Sequence, residues 1–228
     1  MRKLNAPGDS VQDVFSTCIE SYRDAALKNR LRSIVPVLSD EASRFEDCVL
    51  TSKTHTIPTA DNVGGVVSKA EMLDIYESKF VKGTGRPYYD KYMSLPTNGK
   101  CPFCGIGTVS TLDHYLPKSK YPALAITPKN MIPACRDCNL GKKRTFSPQN
   151  SEEEPLHPYF DDVEQDIWLS VRFEVAGKEL VPTYFVRKPV AWNDLLFRRV
   201  ENHMVLYNLY TSYAVHAAEE ITGRSGIW

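Results

Sequence analysis

Four cysteines in two matched pairs constrain this chain more than any other feature in it. Cys101 and Cys104 are separated by two residues, as are Cys135 and Cys138, and thirty residues lie between the pairs. Each Cys-x-x-Cys turn presents two thiolates to one ion. Two such turns complete a tetrahedral set of soft sulfur ligands, which selects zinc. A thioredoxin-like redox site would instead need one pair beside a βαβ pattern. Gly105, directly after the first pair, suits the tight turn of a metal knuckle. With four sulfurs the ion is closed to substrate, so the spacing predicts a structural Zn2+ that folds the segment and performs no chemistry.

The surrounding chain is ordinary for a globular protein. Its 228 residues suit one large or two small domains, with 42% hydrophobic and 25% charged residues. Cys18 and Cys48 fall on helical apolar faces and read as small core residues rather than ligands. The opening "MRKLNAPGDSV" has no apolar run behind its cations, and no stretch approaches membrane-spanning length. A cytoplasmic location with no membrane partner is therefore expected. The net charge is zero, but residues 100–147 carry eight lysines and arginines against two aspartates, a local balance of +6. Such a basic island attracts a polyanion, or is simply a solvated surface.

Hydrophobic periodicity predicts an α+β protein. Val11, Val14, Phe15, Cys18, Ile19, Tyr22, Ala25 and Ala26 make one face of a helix over 10–27, with Asp9 and Gln12 as a capping box. A second helix spans about 37–52, and residues 53–66 read as a loop. Ser68 and Glu71 then cap a third helix, with Met72, Ile75, Tyr76 and Phe80 inward, ending at "KGTGRP". After the cysteines, "WLSVRFEV", a turn at "AGKE" and "LVPTYFVR" predict a β-hairpin with Val171, Phe173 and Val175 alternating. A long helix over about 192–220 closes the pattern. The expected domains are a helical lobe (1–86), the cysteine-bounded core (87–150), and a hairpin-plus-helix unit packed on it (151–228).

A pure staple has no use for the residues it encloses. "STLDHYLPKS" sets Asp113 beside His114 after a β-like run, "KNMIPA" supplies Asn130, and "CNLGK" places Asn139 directly after Cys138. This order, with spacings of sixteen from His114 to Asn130 and nine from Asn130 to Asn139, resembles the HNH endonucleases of the ββα-metal fold, in their four-cysteine zinc branch. The match covers about 45 of the 228 residues. It implies a zinc-stapled ββα core whose His114 acts as general base, whose Asp113 and Asn139 hold catalytic Mg2+ or Mn2+, and whose Asn130 hydrogen-bonds the loop carrying the histidine.

The chemistry agrees with that assignment. Phosphodiester hydrolysis needs a base for water and a cation for the charge on the phosphoryl group and leaving oxygen. Histidine has the side-chain pKa nearest neutrality. A carboxylate and an amide carbonyl are hard ligands suited to Mg2+ or Mn2+, which fill the rest of their shell with water and substrate phosphate. Successive strand residues point to opposite faces, so a bend is needed for Asp113 and His114 to share one phosphate. Lys118, Lys120, Lys142 and Lys143 are candidate phosphate contacts.

"LDHYLPKSKYP" and the downstream "LHPYFDD" resemble a narrower group, the PtuB-type HNH subunit of Septu anti-phage systems, some of which accompany retrons. That resemblance implies a toxic effector working with a PtuA-type ATPase on a nucleic-acid substrate, DNA or an RNA such as tRNA. His157 is then an extra candidate phosphate contact. Blander alternatives stand beside each assignment: Asn139 as a helix cap, Asn130 as a turn residue, His157 as a structural histidine. The whole could also be a non-catalytic zinc module or interaction subunit. His55, in a polar loop, and His203 and His216, on the last helix, receive no role.

Overall fold

The computed structural model describes residues 1–140, 146–177 and 179–225. Among them, helices alternate with three separate antiparallel strand pairs, the α+β arrangement the sequence implies. The first helices are α1 (Val11–Ile19), α2 (Ala25–Arg32) and α3 (Val35–Leu50). The helix expected over 10–27 is broken after Ile19, because Asp24 caps a new one: its Oδ1 accepts from the Ala26 and Leu27 N–H groups at 2.8 and 3.2 Å. Ala25 and Ala26 are therefore exposed in α2 instead of lining the α1 face. The cap of α1 also differs. Ser10 Oγ accepts from Asp13 N–H at 3.1 Å, while Asp9 pairs with Lys91 at 2.8 Å.

The loop expected over 53–66 holds the start of a small hairpin, β1 (Asn62–Val63) with β2 (Val67–Ser68). Ser68 and Glu71 form the expected reciprocal capping box at the start of α4 (Lys69–Asp74). This helix runs on into a π-helical segment, Ile75–Val81. A glycine bend then leads to α5 (Arg86–Met93). A Cβ on Gly85 would lie 2.7 Å from Cys18 Sγ, so the bend packs directly on α1 and only glycine fits there.

At the centre, β3 (Thr111–His114) pairs with β4 (Met131–Ala134), in the register Asp113↔Ile132 and His114↔Met131, and α6 (Arg136–Leu140) follows. This ββα unit sits between two apolar clusters. Leu112 and Met131 join Phe15, Leu38 and Phe80 of the N-terminal helices. Ile132 and Ala134 join Phe45, Val200, Met204 and the four sulfurs. Each fully buried phenylalanine contributes about 1.5–3 kcal/mol, so the hairpin is held from both faces.

The predicted C-terminal hairpin is β5 (Leu169–Ala176) with β6 (Glu179–Val186), turning at Gly177 with φ +66°. Val171, Phe173 and Val175 do share a face, but they are 38%, 50% and 76% exposed, rising toward the turn. That face of the hairpin is therefore open to solvent, while Tyr184 of β6 meets the Tyr213 ring at a centroid distance of 5.7 Å. The long helix is two, α7 (Asp194–Leu206) and α8 (Leu209–Ser225), separated at Asn208, whose φ of 53° no helix accommodates. None of the described helices is long and apolar enough to cross a membrane.

Candidate active site

The sulfur cluster is built by local turns. Gly105 adopts φ +74° and donates its N–H to the Cys101 carbonyl at 2.7 Å, which closes the first knuckle. Gly107 N–H donates to Cys104 Sγ at 3.3 Å, and a Cβ on Gly107 would lie 2.7 Å from Cys135 Sγ. The second knuckle opens α6, where Asn139 N–H donates to the Cys135 carbonyl at 3.1 Å. All four sulfurs are buried and lie within 4.8 Å of one another. Cys104 and Cys135 are 3.8 Å apart, matching the roughly 3.8 Å edge of a tetrahedron with Zn–S bonds of about 2.3 Å. Hydrogen bonds from its neighbours hold the Cys104 thiol far below the usual range, and the same crowding pushes Cys138 far above it. Thiols so close share protons unless a cation takes their place, so the donor set fits structural zinc.

Directly beside the cluster is a cavity of about 400 Å³ into which Asp113, His114, Lys118 and Asn139 all project. Asp113 and His114 end β3, and Asp113 solves the opposite-face problem by folding back along its own strand. Its Oδ1 accepts from the His114 backbone N–H at 2.8 Å. The two side chains are buried to 7% and 8% exposure. The His114 ring is fixed twice. Its Nε2 donates to the Ala125 carbonyl at 2.9 Å, and its edge meets the Tyr76 ring at a centroid distance of 4.7 Å. A carbonyl can only accept, so Nε2 carries the hydrogen and, in the neutral ring, Nδ1 carries the lone pair. Asp113 brings a carboxylate and Asn139 an amide to the cavity lining, donor types that suit a hard dication completed by water and phosphate.

Behind the cavity, Asn130 is fully buried. Its Oδ1 accepts from Leu116 N–H at 2.8 Å, and its Nδ2 donates to the Leu116 and Leu124 carbonyls at 3.0 and 3.1 Å. One side chain thus ties the segment after His114 to the segment ending at Ala125, the two that set the ring. Tyr115 adds a backbone N–H to the Asn130 carbonyl at 2.8 Å.

The lysines divide. Lys118 lines the cavity, 2.5 Å from a Glu77 carboxylate oxygen and 3.8 Å above the Tyr76 ring. Lys120 faces a neighbouring cavity and donates to Ser147 Oγ at 3.2 Å. Lys142 and Lys143 lie outside the described residues. His157 does not reach the cleft. It is fully buried, its Nε2 donating to the Lys129 carbonyl at 3.1 Å and its Nδ1 accepting from Tyr159 N–H at 3.2 Å, so both ring nitrogens serve the fold. Asp161 of the same "LHPYFDD" stretch receives both ends of the Arg199 guanidinium at 2.9 and 2.7 Å and so fastens α7 behind the ββα unit. His203 likewise braces a knuckle, its Nε2 donating to the Phe103 carbonyl at 2.9 Å.

Tyr76 and Glu77 are the site residues that sequence reading missed. Tyr76 reads as a core position of an amphipathic helix, and it is one. The π-helical segment that carries it also turns Glu77 and Val81 to the cavity wall. Burial pushes the Tyr76 hydroxyl well above the usual tyrosine range, so that group stays protonated.

Over 243 aligned positions, 99% of this chain and 80% of the relative, the chain is 28% identical to Protein ea31 of Escherichia phage lambda. Over 102 positions it is 31% identical to Septu protein PtuB of Bacillus thuringiensis, a match covering 42% of this chain and 38% of that protein. The chain therefore spans well under half the length of that relative. No protein-family model matches the sequence. No solved structure matches it either. The chain is thus similar along its length to a phage lambda protein and, over two-fifths of it, to a Septu protein.

Proposed function

We propose that this chain is a metal-dependent nuclease of the HNH type that hydrolyses phosphodiester bonds. The observation that carries the reading is the convergence of Asp113, His114, Lys118 and Asn139 on one cavity, with Nε2 of His114 anchored to a backbone carbonyl. That anchor directs Nδ1, the basic atom, to take the proton of a water as its oxygen attacks phosphorus. The bond to the leaving oxygen then breaks, and that oxygen gains a proton from solvent, leaving one terminal phosphate and one hydroxyl. A Mg2+ or Mn2+ ion held by Asp113 and Asn139 would supply charge stabilisation at the scissile phosphate. Asn130 keeps the base oriented by fixing both segments that touch it, and Lys118 offers its ammonium to the phosphate once Glu77 gives it up. Zinc in the four cysteines is the frame.

The partial identity with PtuB supports a finer reading, in which the nuclease is the toxic effector of an anti-phage system, acting in the cytoplasm with a PtuA-type ATPase and, in some settings, retron components. Residues 1–86 would then serve as the docking lobe, coupled to the cleft through Tyr76 and Glu77. The test is an assay on plasmid, linear DNA and tRNA with Mg2+ or Mn2+, with the chain alone and with a candidate ATPase. The proposal expects cleavage that a chelator of these ions stops. Binding of nucleic acid without cleavage under every condition would favour a non-catalytic zinc module instead.

A further inference from the structure

A second cavity, of about 480 Å³, adjoins the first and shares Ser119 with it, so that Lys118, Ser119 and Lys120 form the ridge between the two. His55, Lys69, Lys120, Tyr121 and Ser147 line it. The backbone closes it, Ala60 N–H donating to the Lys120 carbonyl at 3.0 Å, and Ser147 Oγ receives both Lys120 Nζ at 3.2 Å and the Tyr121 hydroxyl at 3.4 Å. Asp61, 86% exposed at its side chain, is the carboxylate on this wall and pairs with Lys69.

His55 is the informative residue. Glu154, fully buried, accepts from its backbone N–H at 3.1 Å and its Nδ1 at 2.8 Å through one oxygen, Oε1. Among the described residues, Oε2 of Glu154 has no hydrogen-bond partner. Arg199 donates its Nε to the Glu154 carbonyl, and its outer nitrogens go to Asp161 and the Pro155 carbonyl. Since a carboxylate only accepts, Nδ1 of His55 bears its hydrogen and Nε2 is the ring nitrogen left for the cavity. A staple between two loops would account for the Nδ1 bond. It does not account for the two lysines and four hydroxyl residues (Thr59, Ser119, Tyr121 and Ser147) that line the cavity with His55.

The geometry points to a phosphate subsite: we infer that this second cavity takes a backbone phosphate of the nucleic-acid strand, flanking the one in the first cavity. The imidazolium form of His55, countered by Glu154 behind it, donates Nε2–H to a phosphate oxygen. Lys69 and Lys120 supply charge, and Ser119 lets the strand pass between the cavities at the ridge. The inference rests on the nuclease reading for its substrate, but its site can be tested apart from cleavage.

The experiment uses the full chain carrying His114→Ala, so that nothing is cut, and follows the His55 ring proton by NMR against inorganic phosphate and against a short oligonucleotide, with sodium chloride at matched ionic strength as control. Both probes should shift that signal saturably, and chloride should not. Lys69→Gln and Lys120→Gln, at partly exposed positions, should each lower the salt slope of oligonucleotide binding by about one; Glu154→Gln should weaken the phosphate-induced shift. An oligonucleotide that binds without moving the His55 signal, with unchanged slopes in both lysine variants, overturns the subsite. If the unmutated chain cuts that same oligonucleotide, the nuclease reading survives that failure. A saturable His55 shift, with an unmutated chain that never cuts that oligonucleotide alone or with a candidate ATPase, sustains the subsite and sinks the nuclease.

Discussion

The sulfur cluster and the cleft lined by Asp113, His114 and Asn139 are built in opposite ways. The sulfur cluster takes all its donors from two tight turns closed by local hydrogen bonds, the first also shaped by Gly105 and Gly107, and all four cysteines are buried. The cleft draws on distant parts of the chain, among them β3, the segment carrying Lys118, α6 and the π-helical segment, with the carbonyl of Ala125 holding the His114 ring. The first arrangement fixes a fold and leaves no room for substrate. The second leaves space for one and positions a single basic atom. The contrast teaches that here closure and chemistry are separable, so each should fail without the other.

The largest effect should come from the closed site. Cys101→Ser or Cys138→Ser should remove bound zinc and unfold residues 101–138, since structural zinc supplies about 10–16 kcal/mol in small finger peptides. Metal content by mass spectrometry and circular dichroism read this directly, and a variant keeping one zinc and its full melting temperature would break the contrast. Next, Asn130→Ala removes three buried hydrogen bonds from the support of the cleft. A loss of about 1–3 kcal/mol in denaturant unfolding is expected, with slower cleavage and unchanged zinc. A variant with full stability and full activity would remove Asn130 from the account.

Lys118→Met separates binding from framing within the cleft. Oligonucleotide affinity should fall modestly, with a salt slope about one smaller, while zinc and stability hold. An unaltered slope would mean that Lys118 only balances Glu77. The smallest effect belongs far from both sites. Ser68→Ala should cost about 1 kcal/mol by opening the capping box, with no change in cleavage. The Glu71 carboxyl, held down to about 2 first by Arg30 and then by Ser68, contributes stability that is present above its unfolded value near 4.5 and lost as pH falls toward 2. Glu71→Gln should flatten that acid limb of the unfolding curve, and an unchanged limb would show that the box contributes nothing there.

Much of this was legible in the sequence, and the gaps have physical causes. The four cysteines could be read because ligand spacing is local, and the Ser68–Glu71 box because a capping pair is local too. The breaks at Asp24 and Asn208 were not, because apolar periodicity continues across both while a single cap or a single left-handed residue ends the helix. The cleft was half legible. Asp113, His114 and Asn139 stand in the order the HNH resemblance suggests, but the partner that sets the histidine tautomer is a backbone carbonyl, which leaves no trace in residue type. Tyr76 and Glu77 reach the cleft over long chain separations, and nothing in an amphipathic pattern marks a core aromatic as the wall of a site. His157 misled for the converse reason: a histidine in a shared motif reads as chemistry, although its ring is spent on bracing.

The most direct test of the central claim is the rate of plasmid cleavage by His114→Ala beside the unmutated chain, with Mn2+ present, any required partner supplied and zinc content measured in the same samples. The account expects cleavage to fall by about 10²–10⁴-fold, with zinc and the folded state unchanged. Cleavage at the native rate by a zinc-loaded His114→Ala chain would contradict it.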